Sequence, residues 1–171
     1  EQVYEEIEGD SASSTEYYGL ISGISEIPIK QGIAVTGSIN QKGEVQPIGG
    51  VNEKIEGYYS ICKIMGLTGN QGVIIPEKNA THLMLKEEVV QAIREGKFNI
   101  WAVKDVDEGI EILTGMPAGK LQKDGTYPEG TVNYIVSQKL IELALKAKEL
   151  EKKLKVADDS EMSDDTDEKQ N

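Results

Sequence analysis

Apolar residues Tyr17, Leu20, Ile21 and Ile24 fall at helical spacing, so residues 12–25 read as a helix with one apolar face. Small residues at Ser13, Ser14, Gly19, Ser22 and Gly23 lower its intrinsic helicity but allow close packing, which predicts a buried helix with the serines as packing residues. Pro28 ends it. Residues 32–39 read as a strand, 40–43 as a turn and 44–46 as a short return strand. Pro47 and the pair Gly49-Gly50 break that pattern. A helix follows over 51–65, with Ile55, Tyr58, Tyr59, Cys62 and Met65 inward and Gly66 and Gly69 closing it. Residues 72–76 are apolar throughout, as in a strand covered on both faces. Asn79 reads as the cap of a short turn through residue 85. A helix then covers 86–95, a strand 98–103, and a helix capped by Asp105 or Asp107 runs to Leu113, stopped by Gly115 and Pro117. This alternation predicts an α/β (α+β) domain over residues 1–115, a mixed sheet with flanking helices and some parallel pairing.

Residues 116–130, rich in Gly, Pro, Lys and Asp, read as a loop. A long helix over 131–156 follows. Its apolar positions Val136, Leu140, Leu143, Ala147, Leu150 and Leu154 make a narrow stripe, expected to dock for two or three turns and then project, with too few heptads for a coiled coil. Residues 157–171 form an acidic tail expected to lack regular structure. Seven carboxylates and no base between 158 and 168 supply about half of the formal net charge of −12. The remainder is mildly acidic, which argues against nucleic acid as a partner. One cysteine, Cys62, excludes an internal disulfide and fits a reducing compartment, and no apolar run reaches membrane-spanning length or reads as a secretory signal. A cytoplasmic protein is expected. The start at Glu1 suggests a piece of a longer protein.

Chemistry enters with Glu8-Gly9-Asp10-Ser11-Ala12-Ser13, a serine behind an acidic glycine turn and ahead of a helix. By itself it reads as an ordinary helix cap. A nucleophilic serine needs a base, and the lone histidine, His82, has no acidic pattern around it to orient an imidazole. The remaining candidate is Lys54, in the first turn of the helix over 51–65. A lysine acting as a base near neutrality must lose roughly 2–3 units from about 10.4, which burial among apolar and neutral groups and the positive end of a helix dipole can cause. Residue chemistry alone leaves a plausible pairing beside the reading of Lys54 as a solvated surface lysine.

The residues 8–13, the run Ile-Ala-Val-Thr-Gly-Ser (33–38), Gly-Glu-Val-Gln-Pro-Ile-Gly-Gly-Val (43–51), Asn-Glu-Lys (52–54) and Gly-Val-Ile-Ile-Pro (72–76) together resemble the proteolytic domain of Lon proteases, in order from about residue 7 to 114. The form of the serine motif looks closest to bacterial LonB-like proteins. The resemblance implies a serine endopeptidase with Ser11 as nucleophile, Lys54 as general base and acid, and Thr36 bonded to the lysine amine. Glu8 takes the place of an acidic residue near the site, and Asp10 the place of a proline in the other branch. Backbone N–H groups around Ser11 would hold the oxyanion. The resemblance also implies strands upstream of the nucleophile that are missing here, a hexameric ring, and unfolded or damaged proteins as substrates. ATP and Mg would belong to an ATPase domain whose Gly-x-x-x-x-Gly-Lys-Ser/Thr loop this sequence lacks; no cofactor or metal is expected in the chain itself. The competing reading is a non-catalytic oligomerisation or interaction module of a Lon-like protein; an esterase using the same two residues has no feature in its favour.

Overall fold

The structure, a computed structural model, describes residues 10–167. In chain order the elements are α1 (Ser13–Ser25), β1 (Ile33–Val35), β2 (Ser38–Ile39), β3 (Val45–Gln46), α2 (Val51–Met65), β4 (Gly72–Pro76), α3 (Glu77–Ala80), α4 (Glu87–Arg94), β5 (Asn99–Val103), α5 (Val106–Thr114) and α6 (Val132–Asp167). Strands β1, β4 and β5 form a parallel sheet in that order, with Ala34 opposite Val73 and Ile74 opposite Trp101. A separate antiparallel pair joins β2 to β3. The domain is therefore α/β, as the alternation of strands and helices implies.

The central strand organises two cores because its successive side chains point to opposite faces. Ile74 packs with Tyr18, Val103, Ile110, Leu113, Val132 and Val136, which belong to α1, β5, α5 and α6. Val73 and Ile75 pack on the other face with Val51, Ile55, Tyr59, Val89 and Phe98, from α2, α4 and the residue just before β5. Every residue of β4 is buried, which accounts for its lack of a polar side. At Gly72 an added Cβ would collide with the Asn99 carbonyl and the Trp101 ring, so only glycine lets β4 and β5 begin side by side.

The expected strand over 32–39 is broken in two. Thr36 N–H still donates to the Ile74 carbonyl at 3.0 Å, but Gly37 N–H turns away to the Ser11 carbonyl at 2.9 Å. The chain then leaves the parallel sheet and pairs as β2 with β3. Asn79 does not cap a helix: it is buried beside the loop preceding α2. Asp105, not Asp107, caps α5, its Oδ1 accepting the Glu108 N–H at 3.0 Å.

Helix α6 docks through Val132 and Val136 and leaves Leu140, Leu143, Leu150 and Leu154 about half exposed. It continues to Asp167, past the expected start of the unstructured tail, and no Gly or Pro interrupts residues 132–167. Among the described residues no helix is long and apolar enough to cross a membrane.

Tyr18 is 1% exposed, and its hydroxyl lies against Gly109 with no hydrogen-bond partner among the described residues. Burial first, then the charges of Tyr17 and the acidic start of α5, raises its ionisation above the ordinary tyrosine range. Below that range Tyr18→Phe should be neutral or stabilising by up to about 1 kcal/mol, because it removes an unsatisfied buried hydroxyl. Above about pH 10 the unfolded tyrosine loses its proton while the folded one keeps it, so the wild type loses stability that the phenylalanine variant retains. Urea titrations of both proteins at pH 7 and pH 10.5 measure the two effects.

Candidate active site

Three segments meet where the sequence places its candidate residues. The first is the turn before α1, closed by the Ser13 N–H donating to the Asp10 carbonyl at 2.9 Å. Ala12 occupies the N-cap position and no side chain caps the helix, so the Ser11 hydroxyl is not spent on capping.

The second segment, residues 35–39, is bonded to the first almost residue by residue. The Ser11 carbonyl accepts the Gly37 N–H at 2.9 Å and the Thr36 hydroxyl at 3.4 Å. The Ser14 hydroxyl donates to the Gly37 carbonyl at 2.7 Å, which also takes the Ser14 N–H at 3.2 Å. Ser13 Oγ accepts the Ile39 N–H at 3.0 Å, and the Thr15 hydroxyl donates to the Val35 carbonyl at 3.2 Å. Ser13 and Ser14 therefore bond α1 to the β1–β2 connection instead of only packing, a correction to their expected role. An added Cβ on Gly37 would sit 3.0 Å from Val45 Cγ1, which explains why that crossing carries glycine.

The third segment is the first turn of α2. Gly50 precedes it in the left-handed region at φ 65°, a conformation that favours glycine, and its carbonyl accepts the Lys54 N–H at 3.1 Å. From there Lys54 Nζ donates to Ser11 Oγ at 2.9 Å and to Thr36 Oγ1 at 3.2 Å. Thr36 is 7% exposed and spans the site, accepting from the lysine while donating to the Ser11 carbonyl. Chemically this is a hydroxyl in direct contact with an amine that a second hydroxyl orients, the arrangement needed for proton transfer on and off a serine.

Two expectations fare differently. Lys54 is exposed, so the described residues do not supply the burial that a neutral lysine would need. Glu8 lies outside the described residues. Asp10 is exposed and contributes its carbonyl to the turn, with no side-chain hydrogen bond among the described residues. His82 is exposed on the turn after α3, and no hydrogen bond among the described residues joins its ring to Ser11 or Lys54. The same residues include no cluster of His, Cys, Asp and Glu able to hold a metal ion. Sequence reasoning missed the tethering role of Gly37; the only signal for it is a glycine interrupting an otherwise continuous strand pattern.

Comparisons with known proteins point to one family. The family of the Lon protease (S16) C-terminal proteolytic domain matches residues 6–128. A Lon protease homolog of Escherichia coli strain K12 is 53% identical over 116 residues, covering 68% of this chain and 20% of its own length. One from Haemophilus influenzae is 41% identical over 140 residues, covering 82% and 23%. An archaeal Lon protease of Archaeoglobus fulgidus is 40% identical over 109 residues, covering 64% and 16%. The chain thus spans about a fifth of the length of these relatives.

Replacing the two serines separates chemistry from architecture. Ser11→Ala should change stability by less than about 0.5 kcal/mol, since no cap is lost. Ser14→Ala should cost about 1–2 kcal/mol, since it removes a buried hydrogen bond that ties α1 to Gly37. Denaturant midpoints of the two variants check this; a cost for Ser11→Ala matching that of Ser14→Ala would make Ser11 a structural residue.

Proposed function

The chain belongs to the family of the Lon protease C-terminal proteolytic domain, and from that premise we propose that it carries a Ser–Lys peptidase site acting on unfolded protein segments. The observation that supports this most directly is the 2.9 Å contact between Lys54 Nζ and Ser11 Oγ across 43 residues of sequence. Ser11 Oγ attacks the scissile carbonyl carbon while the neutral Lys54 amine takes its proton. The resulting oxyanion lies near the Ser11 and Ala12 N–H groups, which make no hydrogen bond among the described residues. Collapse breaks the peptide C–N bond, and the Lys54 ammonium gives its proton to the departing amine. Water then attacks the ester as Lys54 accepts a proton from it, and that proton returns to Ser11 Oγ when the acid leaves.

Because Lys54 is exposed in the described residues, the neutral amine requires a further surface over it when the reaction occurs. The bound polypeptide supplies that surface in this reading. Thr36 keeps Nζ aimed at Ser11 during both proton transfers. In the full-length protein, ATP and Mg act through an ATPase region that unfolds substrates, and identical copies assemble into a ring. That protein is cytoplasmic and of the LonB-like type.

Casein hydrolysis by the full-length protein, with and without ATP, tests the assignment. Ser11→Ala and Lys54→Ala should each reduce cleavage by at least about a thousandfold. Thr36→Val should lower kcat by about tenfold, as expected for loss of one orienting hydrogen bond near a charged group. Undiminished cleavage by either alanine variant would remove the pair from the mechanism and favour the interaction-module reading.

A further inference from the structure

Asn79 stands outside the three segments that meet at Ser11, yet it is 8% exposed and both ends of its amide bond to one distant residue. Its Oδ1 accepts the Ile48 N–H at 3.0 Å, and its Nδ2 donates to the Ile48 carbonyl at 2.9 Å. Ile48 lies between β3 and α2, two residues before the Gly50 turn that starts the lysine-bearing helix. Both main-chain groups of Ile48 are thereby satisfied by one side chain from α3, the short helix that follows β4. A planar amide making two such bonds fixes the position and the tilt of the residue it grips, which a single hydrogen bond does not.

The chain beyond Asn79 continues the same attachment along α2. Met84 N–H donates to Asn52 Oδ1 at 3.0 Å, and Lys86 N–H donates to Glu56 Oε1 at 2.9 Å. Lys86 Nζ also pairs with Glu56 Oε2 at 3.1 Å. Residues 48, 52 and 56 are thus held from one side, and Lys54 lies within that span. Of these attachments only those of Asn79 are partly buried, the others being exposed, so they are the ones that solvent weakens least.

We propose that Asn79 is a positioning residue for Lys54, setting the entry angle of α2 so that Nζ reaches Ser11 Oγ and Thr36 Oγ1 together. This inference rests on the Ser–Lys reading above. Asn79 touches no reacting atom; it acts through Ile48 and the Gly50 turn. The 2.9 and 3.2 Å contacts at Nζ leave little tolerance for a displaced helix start, and a misplacement of about 1 Å can cost on the order of a hundredfold in rate.

The test uses the full-length protein and a fluorogenic peptide, comparing wild type, Asn79→Ala, Asn79→Asp and Val136→Ala at a temperature well below every unfolding midpoint. Val136, in α6, lies in the other core, so its variant controls for lost stability away from Asn79. Asn79→Ala should lower kcat by about 10- to 100-fold with KM within about twofold. Asn79→Asp keeps the acceptor for Ile48 N–H, loses the donor and should fall between; if the alanine variant does not fold, its kcat decides. Val136→Ala should keep wild-type kcat despite a lowered Tm. A wild-type kcat in Asn79→Asp and Asn79→Ala, or an equal kcat loss in Val136→Ala, overturns the assignment. Ser11→Ala and Lys54→Ala run alongside: full cleavage by either sinks the Ser–Lys reading itself, whereas their inactivity beside a fully active Asn79 variant sinks only the positioning role.

Discussion

The peptide at Gly37 is where the sheet, the first helix and the candidate nucleophile are joined. One residue earlier, Thr36 still hydrogen-bonds to β4; at Gly37 the N–H goes to the Ser11 carbonyl and the carbonyl takes both donors of Ser14. Backbone groups leaving a sheet must find other partners. Here those partners are the turn before α1, so the break in the strand and the placement of Ser11 are one event. Each bond is modest, about 1 kcal/mol net, but together they fix Ser11 against a sheet buried on both faces. The candidate serine thereby acquires a defined direction.

Lysine placement follows a parallel logic from the opposite side of the sheet. Gly50 supplies a left-handed turn, α2 begins at once, and Lys54 in its first turn looks back toward Thr36. Thr36 serves both halves, bonded to the Ser11 carbonyl and to the lysine amine. The two helices converge on the connection after β1, a place where α/β folds commonly build sites, just past the carboxyl end of a parallel strand. The exposure of Lys54 then becomes informative: contact geometry is complete within these residues, whereas desolvation is left to whatever covers the site.

Much of this was legible in the sequence. The all-apolar run at β4, the helical spacing in α1 and α2, and the cap at Asp105 are local signals, and each element formed close to its expected limits, although Leu20 and Met65, expected on the inward faces, are exposed. The contact among Ser11, Thr36 and Lys54 could be named only from the order of several motifs, because spacing along a chain does not determine a 2.9 Å approach. What stayed hidden was long-range hydrogen bonding. Ser13, Ser14 and Asn79 look like packing or capping residues locally, and their partners lie 23 to 31 residues away. Acidic composition after residue 156 suggests an unstructured tail, yet the absence of any helix breaker lets α6 continue to Asp167.

The central claim is that Ser11 Oγ, giving its proton to the Lys54 amine, becomes covalently acylated. Rapid acid quench of the full-length protein during turnover of a peptide ester, followed by peptide mapping in a mass spectrometer, addresses it directly. The account predicts the acyl mass on the peptide containing Ser11, absent in Lys54→Ala. Turnover with the acyl group on another residue, or turnover at full rate in Lys54→Ala with Ser11 still acylated, would contradict it.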